Sequence, residues 1–357
     1  MKARRMEKGK NAIAGFDVGG AHLKVARAEQ GRIVAAATSA MPLWQGLDHL
    51  ARGFDEAEPL FQGAEICAFT MTGELSDVFR SRLEGVQTLL TLIRERFGGG
   101  RILIYAGRSG FVDVERAARS AADVASANWH ATASLVADRV GEGLFVDMGS
   151  TTTDIIALNN GVVAHQGYTD AERLLSGELV YTGFTRSFPF AVAGIAPVGG
   201  GLTPLMNEYF ASMADVHRIL GVLDEGDDRH PAADGKEKTR AASVVRLARM
   251  VGRDAADLGV REWRDLARWF SEQQLRAIHD AAFRVGARLS DEAPVVAAGT
   301  GRWQIGRLAE RLQRRFVDFA DVVPASDHAR NQVSSAAPAA AVALLAGRAP
   351  GRLEQLS

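Results

Sequence analysis

The feature that most constrains this chain is a buried strand pattern broken twice in the same way. The stretches "AIAGFDVGGAHLKVARAEQGRIVAAATSA" and "GLFVDMGSTTTDIIALNNGVVAHQG" share one order. Each has an apolar strand, an Asp-x-Gly turn of small residues, a second apolar strand, a Gln-Gly or Asn-Gly turn, and a third strand. An apolar strand gains by burial, whereas Asp, Ser, Thr and backbone amides gain only if they find hydrogen-bond partners. A chain that places such groups at the same point of two buried hairpins uses them for a shared purpose. Each copy opens one half of the sequence, and 357 residues suffice for two cores. The expectation is therefore two lobes with a cleft between them.

Hairpins that precede helices point to mixed α/β layers rather than a doubly wound parallel sheet. We expect a basic tail over 1–10, a first lobe over 11–140 closed by a helix over 334–347, and a second lobe over 141–333. In the first lobe, "LDHLARGFDEAEPLF" reads as an amphipathic helix, "EICAFTMT" as a strand, and a helix is expected from near Glu74. "RILIYAG" reads as another strand, and "VERAARSAADVASANWHATASLVADRV" has helical periodicity over most of its length. The second lobe carries a helical insert over about 203–288, broken by "DEGDDRHPAADGKEKT", which reads as a mobile surface loop. A strand and glycine turn in "APVVAAGTGRWQIGRLAERL" and the Ala-rich "SSAAPAAAVALLAG" follow.

The chemistry lies in the turns. Asp17 ends a strand, and Gly19 and Gly20 allow a tight turn whose N–H groups, with those of Ala21 and His22, converge as an anion-binding nest. A carboxylate beside such a nest suits Mg²⁺ or its water shell rather than the phosphate itself. Lys24 returns along the second strand toward the same phosphate. In the second turn Asp147 takes the place of Asp17, while Gly149, Ser150, Thr151, Thr152 and Thr153 offer amide and hydroxyl donors. Together the turns would clamp a polyphosphate, with Asp17 and Asp147 on the Mg²⁺ side; taken singly, each is also an ordinary hairpin turn. Gly299, Thr300 and Gly301 form a third glycine turn, suited either to a nucleotide or to ending a strand. His22 either touches phosphate or points to solvent.

Composition excludes several classes. Lys and Arg number 42 against 43 Asp and Glu, so nothing offsets a nucleic-acid backbone or an anionic membrane. Apolar stretches fall short of a membrane span, and neither His-x-x-x-His nor Cys-x-x-Cys spacing occurs, which argues against a transition-metal site. Cys67, the single cysteine, reads as an inert thiol in a reducing cytoplasm. Trp263 and Trp269 are spaced for core packing.

"FDVGGAHLKVA", "LFVDMGSTTTDIIAL", "VVAAGTGRWQIGRL" and "SSAAPAAAVALLAG" resemble the phosphate, nucleotide-side and connecting-helix motifs of the acetate and sugar kinase/heat-shock protein 70/actin superfamily. The resemblance implies two ribonuclease H-like lobes of the actin-like ATPase fold. "DMGSTTTDI" with "TDAERLLSGELVYTGFTR" is similar to the hydantoinase A/oxoprolinase branch. "TMTGELSD" and "SANWHATA" further resemble its short members linked to tetrahydromethanopterin one-carbon metabolism, whose archaeal counterparts serve methanofuran biosynthesis.

That likeness implies transfer of an aminomethyl-furanmethyl group from its diphosphate to the phenol oxygen of γ-glutamyltyramine or a related tyrosine-derived phenol. The clamp would then hold a leaving diphosphate, with Mg²⁺ and without a requirement for ATP. Glu74, Asp170 and Glu178 are the carboxylates to test as general base; Glu74 also suits a helix N-terminus. Arg173 and Arg186 would bind a glutamyl carboxylate or lie on the surface. Asn128 and Trp129, followed by His130, form either a site wall or an aromatic core plug. An ATP-dependent small-molecule kinase or oxoprolinase-like enzyme, and a chaperone-type or reactivase-type ATPase module, are the competing readings of the fold.

Overall fold

The computed structural model describes residues 12–348; the expected tail over 1–10 lies outside them. The described chain forms two units: one holds residues up to Gly141, Leu158–Val163 and the residues from Asp318 on, the other Glu142–Ala157 and Ala164–Val317.

The first unit opens with β1 (Ala12–Val18), β2 (His22–Glu29) and β3 (Arg32–Ala40), an antiparallel meander. Gln30 and Gly31, at φ 52° and 74°, make the expected left-handed turn between β2 and β3. β4 (Ile66–Met71) and β5 (Arg101–Tyr105) add parallel strands and β6 (Phe111–Val112) closes the order β3-β2-β1-β4-β5-β6. All of β1 is buried, as a central strand covered on both faces must be. On one face Phe16 stacks on Phe69 at 4.5 Å and meets Phe54 of α1 (Asp48–Phe61) and Phe97 of α2 (Arg82–Phe97) edge-on.

Two helix boundaries differ from expectation. Gly73–Leu75 makes one 3-10 turn, and α2 starts only at Arg82, where the Ser81 side chain accepts the Glu84 amide. The periodic stretch beyond β6 splits into α3 (Val114–Arg119), α4 (Ala121–Val124) and α5 (Asn128–Val140), with Ser126 at φ 53° in the break. Asn128, Trp129 and His130 form the first turn of α5.

The second unit repeats the strand-turn-strand opening with β7 (Gly143–Met148) and β8 (Thr153–Asn159), whose last residues count with the first unit. Asn160 and Gly161, at φ 52° and 76°, make the expected turn, but the strand after it, β9 (Val162–Val163), is short. The place beside β8 at its turn end is taken by β10 (Leu179–Val180), which follows α6 (Asp170–Ser176). α7 (Pro189–Val192), the hairpin of β11 (Ile195–Val198) and β12 (Gly201–Pro204), α8 (Met213–Leu220), α9 (Arg240–Arg249) and α10 (Val260–Gly286) form the helical insert. Met213, Val216, Leu247, Trp263 and Phe270 build its apolar core. β13 (Val295–Gly299) pairs parallel with β7, and α11 (Arg302–Arg311) and β14 (Phe316–Asp318) complete the order β10-β8-β7-β13-β14.

The polar stretch expected to be a mobile loop is tied down. Arg218 pairs with Glu225 at 2.8 Å and Asp228 at 2.5 Å, and the fully buried Arg246 pairs with Asp234 at 3.1 Å and Asp215 at 2.7 Å. The sequence pattern conceals this because the two arginines sit on helices on either side of the loop.

The chain then returns to the first unit as α12 (Phe319–Val322), α13 (Asp327–Val333) and α14 (Ala337–Ala346). The boundary thus falls at 317/318 rather than 333 because this return attaches to β3: Ile33 donates to Pro324 and Ser326 to Ile33, each at 2.8 Å. α14 lies so close on β1 that a Cβ on Gly15 would overlap the Ala339 carbonyl and stand 2.7 Å from the Ala343 nitrogen. No helix among the described residues is long and apolar enough to cross a membrane.

Candidate functional site

The antiparallel register sets Asp17 opposite Lys24, so both side chains emerge on one face of the hairpin. Lys24 Nζ lies 3.1 Å from Asp17 Oδ2, and Oδ1 of this buried carboxylate has no hydrogen-bond partner. The turn itself is closed by Gly19 N–H donating to His22 O at 3.0 Å and braced by Leu43 N–H on Gly20 O. A Cβ on Gly20 would meet nothing within 4 Å, so its backbone is open to approach. Ala21 and His22 are buried.

Residues 72–74 pack onto this turn. Thr72 N–H donates to Val18 O at 3.0 Å, and a Cβ on Gly73 would stand 3.0 Å from Gly19 O. Glu74 is 1% exposed and accepts the Ser126 hydroxyl at 2.9 Å. The close approach is possible because α2 has Gly85 there: a Cβ would lie 2.6 Å from Glu74 O. The backbone of residues 72–73 thus adjoins the turn that carries Asp17 and Lys24, while the Glu74 carboxylate meets Ser126. Two residues beyond Ser126, Asn128 Oδ1 accepts the Trp129 amide, and Trp129 is 2% exposed, edge-on to His130. Of the two readings for "ANWH", Trp129 is placed as the core plug. His130 Nδ1 lies 2.9 Å from the Tyr105 hydroxyl.

In the second unit, Asp147 is buried at the end of β7 and Gly149 N–H closes the turn on Thr152 O at 3.0 Å. Residues 182–187 wrap this turn: Phe184 N–H donates to Gly149 O at 2.9 Å, Arg186 N–H to Ser150 O at 2.8 Å, and Arg186 Nη1 to Thr151 Oγ1 at 3.2 Å. A Cβ on Gly183 would overlap the Ser150 and Thr151 backbone. Burial lowers the pKa of the Arg186 guanidinium, while Tyr181 and Tyr209 pull it the other way; arginine remains a cation at neutral pH. The third glycine turn joins the same place. Gly299, at φ 83°, leaves no room for a side chain against Met148 O and Asp147, and Gly301 N–H donates to Met148 O at 2.9 Å. Thr300 lies between them, its hydroxyl buried without a hydrogen-bond partner.

The other candidates stand elsewhere in this unit. Glu178 accepts Gln166 N–H at 2.6 Å, Gly167 N–H at 2.8 Å and the Ser176 hydroxyl at 2.7 Å. Arg173, 2% exposed, pairs with Asp154 at 2.5 Å and donates to Glu178 O at 3.1 Å, with Asp170 3.9 Å away. These groups brace α6 against the sheet, so neither Glu178 as a base nor Arg173 as a substrate ligand is favoured by its surroundings. Burial pushes the Cys67 thiol up to about 12, the state of an unreactive cysteine. No three His, Cys, Asp or Glu side chains converge as a metal cage among the described residues. A Mg²⁺ ion here would take most of its ligands from phosphate oxygens and water, and the unpartnered Asp17 Oδ1 suits that arrangement.

A profile of the hydantoinase/oxoprolinase family matches residues 65–347. The chain belongs to this family. It is 30% identical over 336 residues, 93% of this chain and 97% of the relative, to a "(4-{4-[2-(gamma-L-glutamylamino)ethyl]phenoxymethyl}furan-2-yl)methanamine synthase" from Methanocaldococcus jannaschii. A protein of the same name from Methanococcus vannielii is 33% identical over 119 residues, 33% of this chain and 53% of that one. Among solved structures, nucleotide-free acetone carboxylase superposes with a TM-score of 0.50 at 12% identity, covering 93% of this chain and 70% of the other. The fold of this hydantoinase/oxoprolinase member is the actin-like ATPase fold.

Sequence reasoning missed Ser126 and the role of Gly85. A glycine inside an amphipathic helix is a signal of close backbone approach and could have located Glu74. The contact of Arg186 with Thr151 spans 35 residues and leaves no local pattern.

Proposed function

We propose that this protein joins an aminomethyl-furanmethyl diphosphate to the phenol oxygen of γ-glutamyltyramine, or of a related tyrosine-derived phenol, and releases diphosphate in methanofuran-type cofactor biosynthesis. The observation that carries the reading is the 30% identity running through 93% of this chain and 97% of the Methanocaldococcus jannaschii synthase. That relative's name describes a phenoxymethyl-furan, an ether whose formation needs an activated furanylmethyl carbon and a phenol.

In the reaction the methylene carbon–oxygen bond breaks and its electron pair leaves with diphosphate. The furan ring stabilises the positive charge left on the methylene. The phenol oxygen then forms the new carbon–oxygen bond and gives up its proton. The protein's tasks are to stabilise charge growing on the diphosphate and to hold the phenol within attack distance. Within the second unit, the amides and hydroxyls of Gly149–Thr152 and the Arg186 guanidinium are assigned to the diphosphate; within the first, Lys24 and the amides of its turn are assigned as further donors to negative charge. Mg²⁺ would add Lewis-acid stabilisation of the same charge, and Asp17 in one turn and Asp147 in the other are the carboxylates that would suit it. Glu74, buried and oriented by Ser126, is assigned as the base that takes the phenol proton, whose ordinary pKa is about 10.

The test is to incubate the full chain with aminomethyl-furanmethyl diphosphate, γ-glutamyltyramine and Mg²⁺, with and without ATP, following diphosphate and the mass of the ether. Equal amounts of ether and diphosphate without ATP are expected. Absence of the ether, with ATP hydrolysed instead, would overturn the reading and return the chain to the ATP-dependent activities of its fold.

A further inference from the structure

The wall beside the second turn carries a feature that the reaction assignment leaves unused. Met213 N–H donates to Ser187 O at 2.8 Å and Ala214 N–H to Thr185 O at 3.1 Å, which draws the segment from Tyr209 alongside residues 185–187. Phe188 and Tyr209 meet edge-on at 4.7 Å, and Phe190 stacks on Phe188 at 5.4 Å. Tyr209 keeps 48% of its surface exposed, and burial and Asp215 raise the pKa of its hydroxyl while the Arg186 guanidinium lowers it. An aromatic surface thus adjoins an arginine that is itself bonded to Thr151 of the phosphate turn.

We propose that Arg186, Phe188 and Tyr209 form a recognition site for an aryl-methyl diphosphate, with the ring against the aromatic pair and the diphosphate on Arg186 and the Ser150–Thr151 turn. This deepens the proposed function, on which it rests for the identity of the donor, by adding the aromatic pair to the diphosphate contact assigned there to Arg186. Three features fit the assignment. The guanidinium is fixed on the turn hydroxyl, where a planar fork pairs well with phosphate oxygens. Its half-burial strengthens such a pairing relative to open solvent. The adjacent rings offer stacking that a bare diphosphate cannot use. A free diphosphate would gain the first two contacts alone.

The experiment is calorimetric titration of the full chain, with Mg²⁺, using inorganic diphosphate and benzyl diphosphate as probes. The wild type is expected to bind benzyl diphosphate at least about fivefold more tightly, the ratio that one ring contact of about 1 kcal/mol supplies. Tyr209→Leu should abolish that preference and leave inorganic diphosphate within about twofold of wild type, a selective change that general unfolding would not produce. Arg186→Gln should weaken both probes about tenfold or more, the loss expected of one charged hydrogen-bond partner. No preference for the aryl probe in the wild type, retention of the preference in Tyr209→Leu, or unchanged inorganic diphosphate binding in Arg186→Gln would each overturn the site. Turnover separates the two claims: ether formation without ring preference sinks this site alone, whereas ring preference without ether formation sinks the reaction and leaves the site standing.

Discussion

Lys24 faces Asp17 across a hairpin, which holds the ammonium near the first turn without burying an unpaired charge. Lys24→Met should therefore lower kcat for diphosphate release by about 10²–10³, the usual loss for one donor to developing negative charge. A change under about threefold, with the fold intact by circular dichroism, would remove Lys24 from the chemistry. Glu74→Gln keeps the shape and the Ser126 contact but abolishes the base. A fall of about 10²–10⁴ in kcat with little change in KM is expected, and a lowered melting point with kcat preserved would make Glu74 a packing residue instead. His217 is predicted to govern acid stability. It is fully buried on Phe184, with Nδ1 on the Phe184 carbonyl at 2.8 Å, and burial lowers its pKa from 6.5 to about 4. Between those values the unfolded chain holds a proton that the folded chain refuses, so its contribution is present above pH 6.5 and is lost as pH falls toward 4. The loss amounts to about 3 kcal/mol. Denaturant midpoints measured across that window should fall steeply in the wild type and less so in His217→Gln; parallel curves would sink the assignment.

Among the elements, β1 and α14 depend on one another through a missing side chain. Gly15→Val would drive a branched group into the Ala339 carbonyl and the Ala343 backbone, and should lower stability by about 1–3 kcal/mol or more, read as a drop in melting temperature. An unchanged melting point would mean that α14 can shift away at no cost. Much of this level was legible from local chemistry. The Gln30-Gly31 and Asn160-Gly161 turns, the strand after α1 and the Ala-rich helix all follow from φ preference, alternation or composition, which act over a few residues. What was not legible depends on partners far along the chain. The strand beside β8 at its turn end is β10, because Leu179 and Val180 pair with Asp154 and Thr153 after an intervening helix. Helix α2 starts later than the acidic Glu74 suggests, because Ser81 supplies the cap. At the candidate site, Asp17 with Lys24 could be read from hairpin spacing. The use of Glu178 and Arg173 as braces could not, since it rests on the segment 166–178, with α6 in it, folding back on itself and on Asp154.

On the scale of the whole molecule the two units are unequal in continuity. The second is interrupted only by 158–163, whereas the first is assembled from both sides of it. A fragment of residues 142–318 keeps β7, β8, β10, β13, β14 and helices α6 to α11. It is expected to unfold cooperatively on heating, followed by circular dichroism. Residues 12–141 alone lack α14 and should show no such transition. A cooperative transition in the shorter piece would mean that β1 needs no cover on that face. The contact of Gly15 with α14 also carries a consequence for biosynthesis. On the ribosome the first sheet is made early, yet the helix that seals its central strand emerges after everything in the second unit. The second unit is thus free to mature first, reversing the usual N-to-C order. Throughout that interval β1 presents an uncovered apolar face to solvent, and the nascent first sheet, rather than the finished fold, is the species exposed to aggregation.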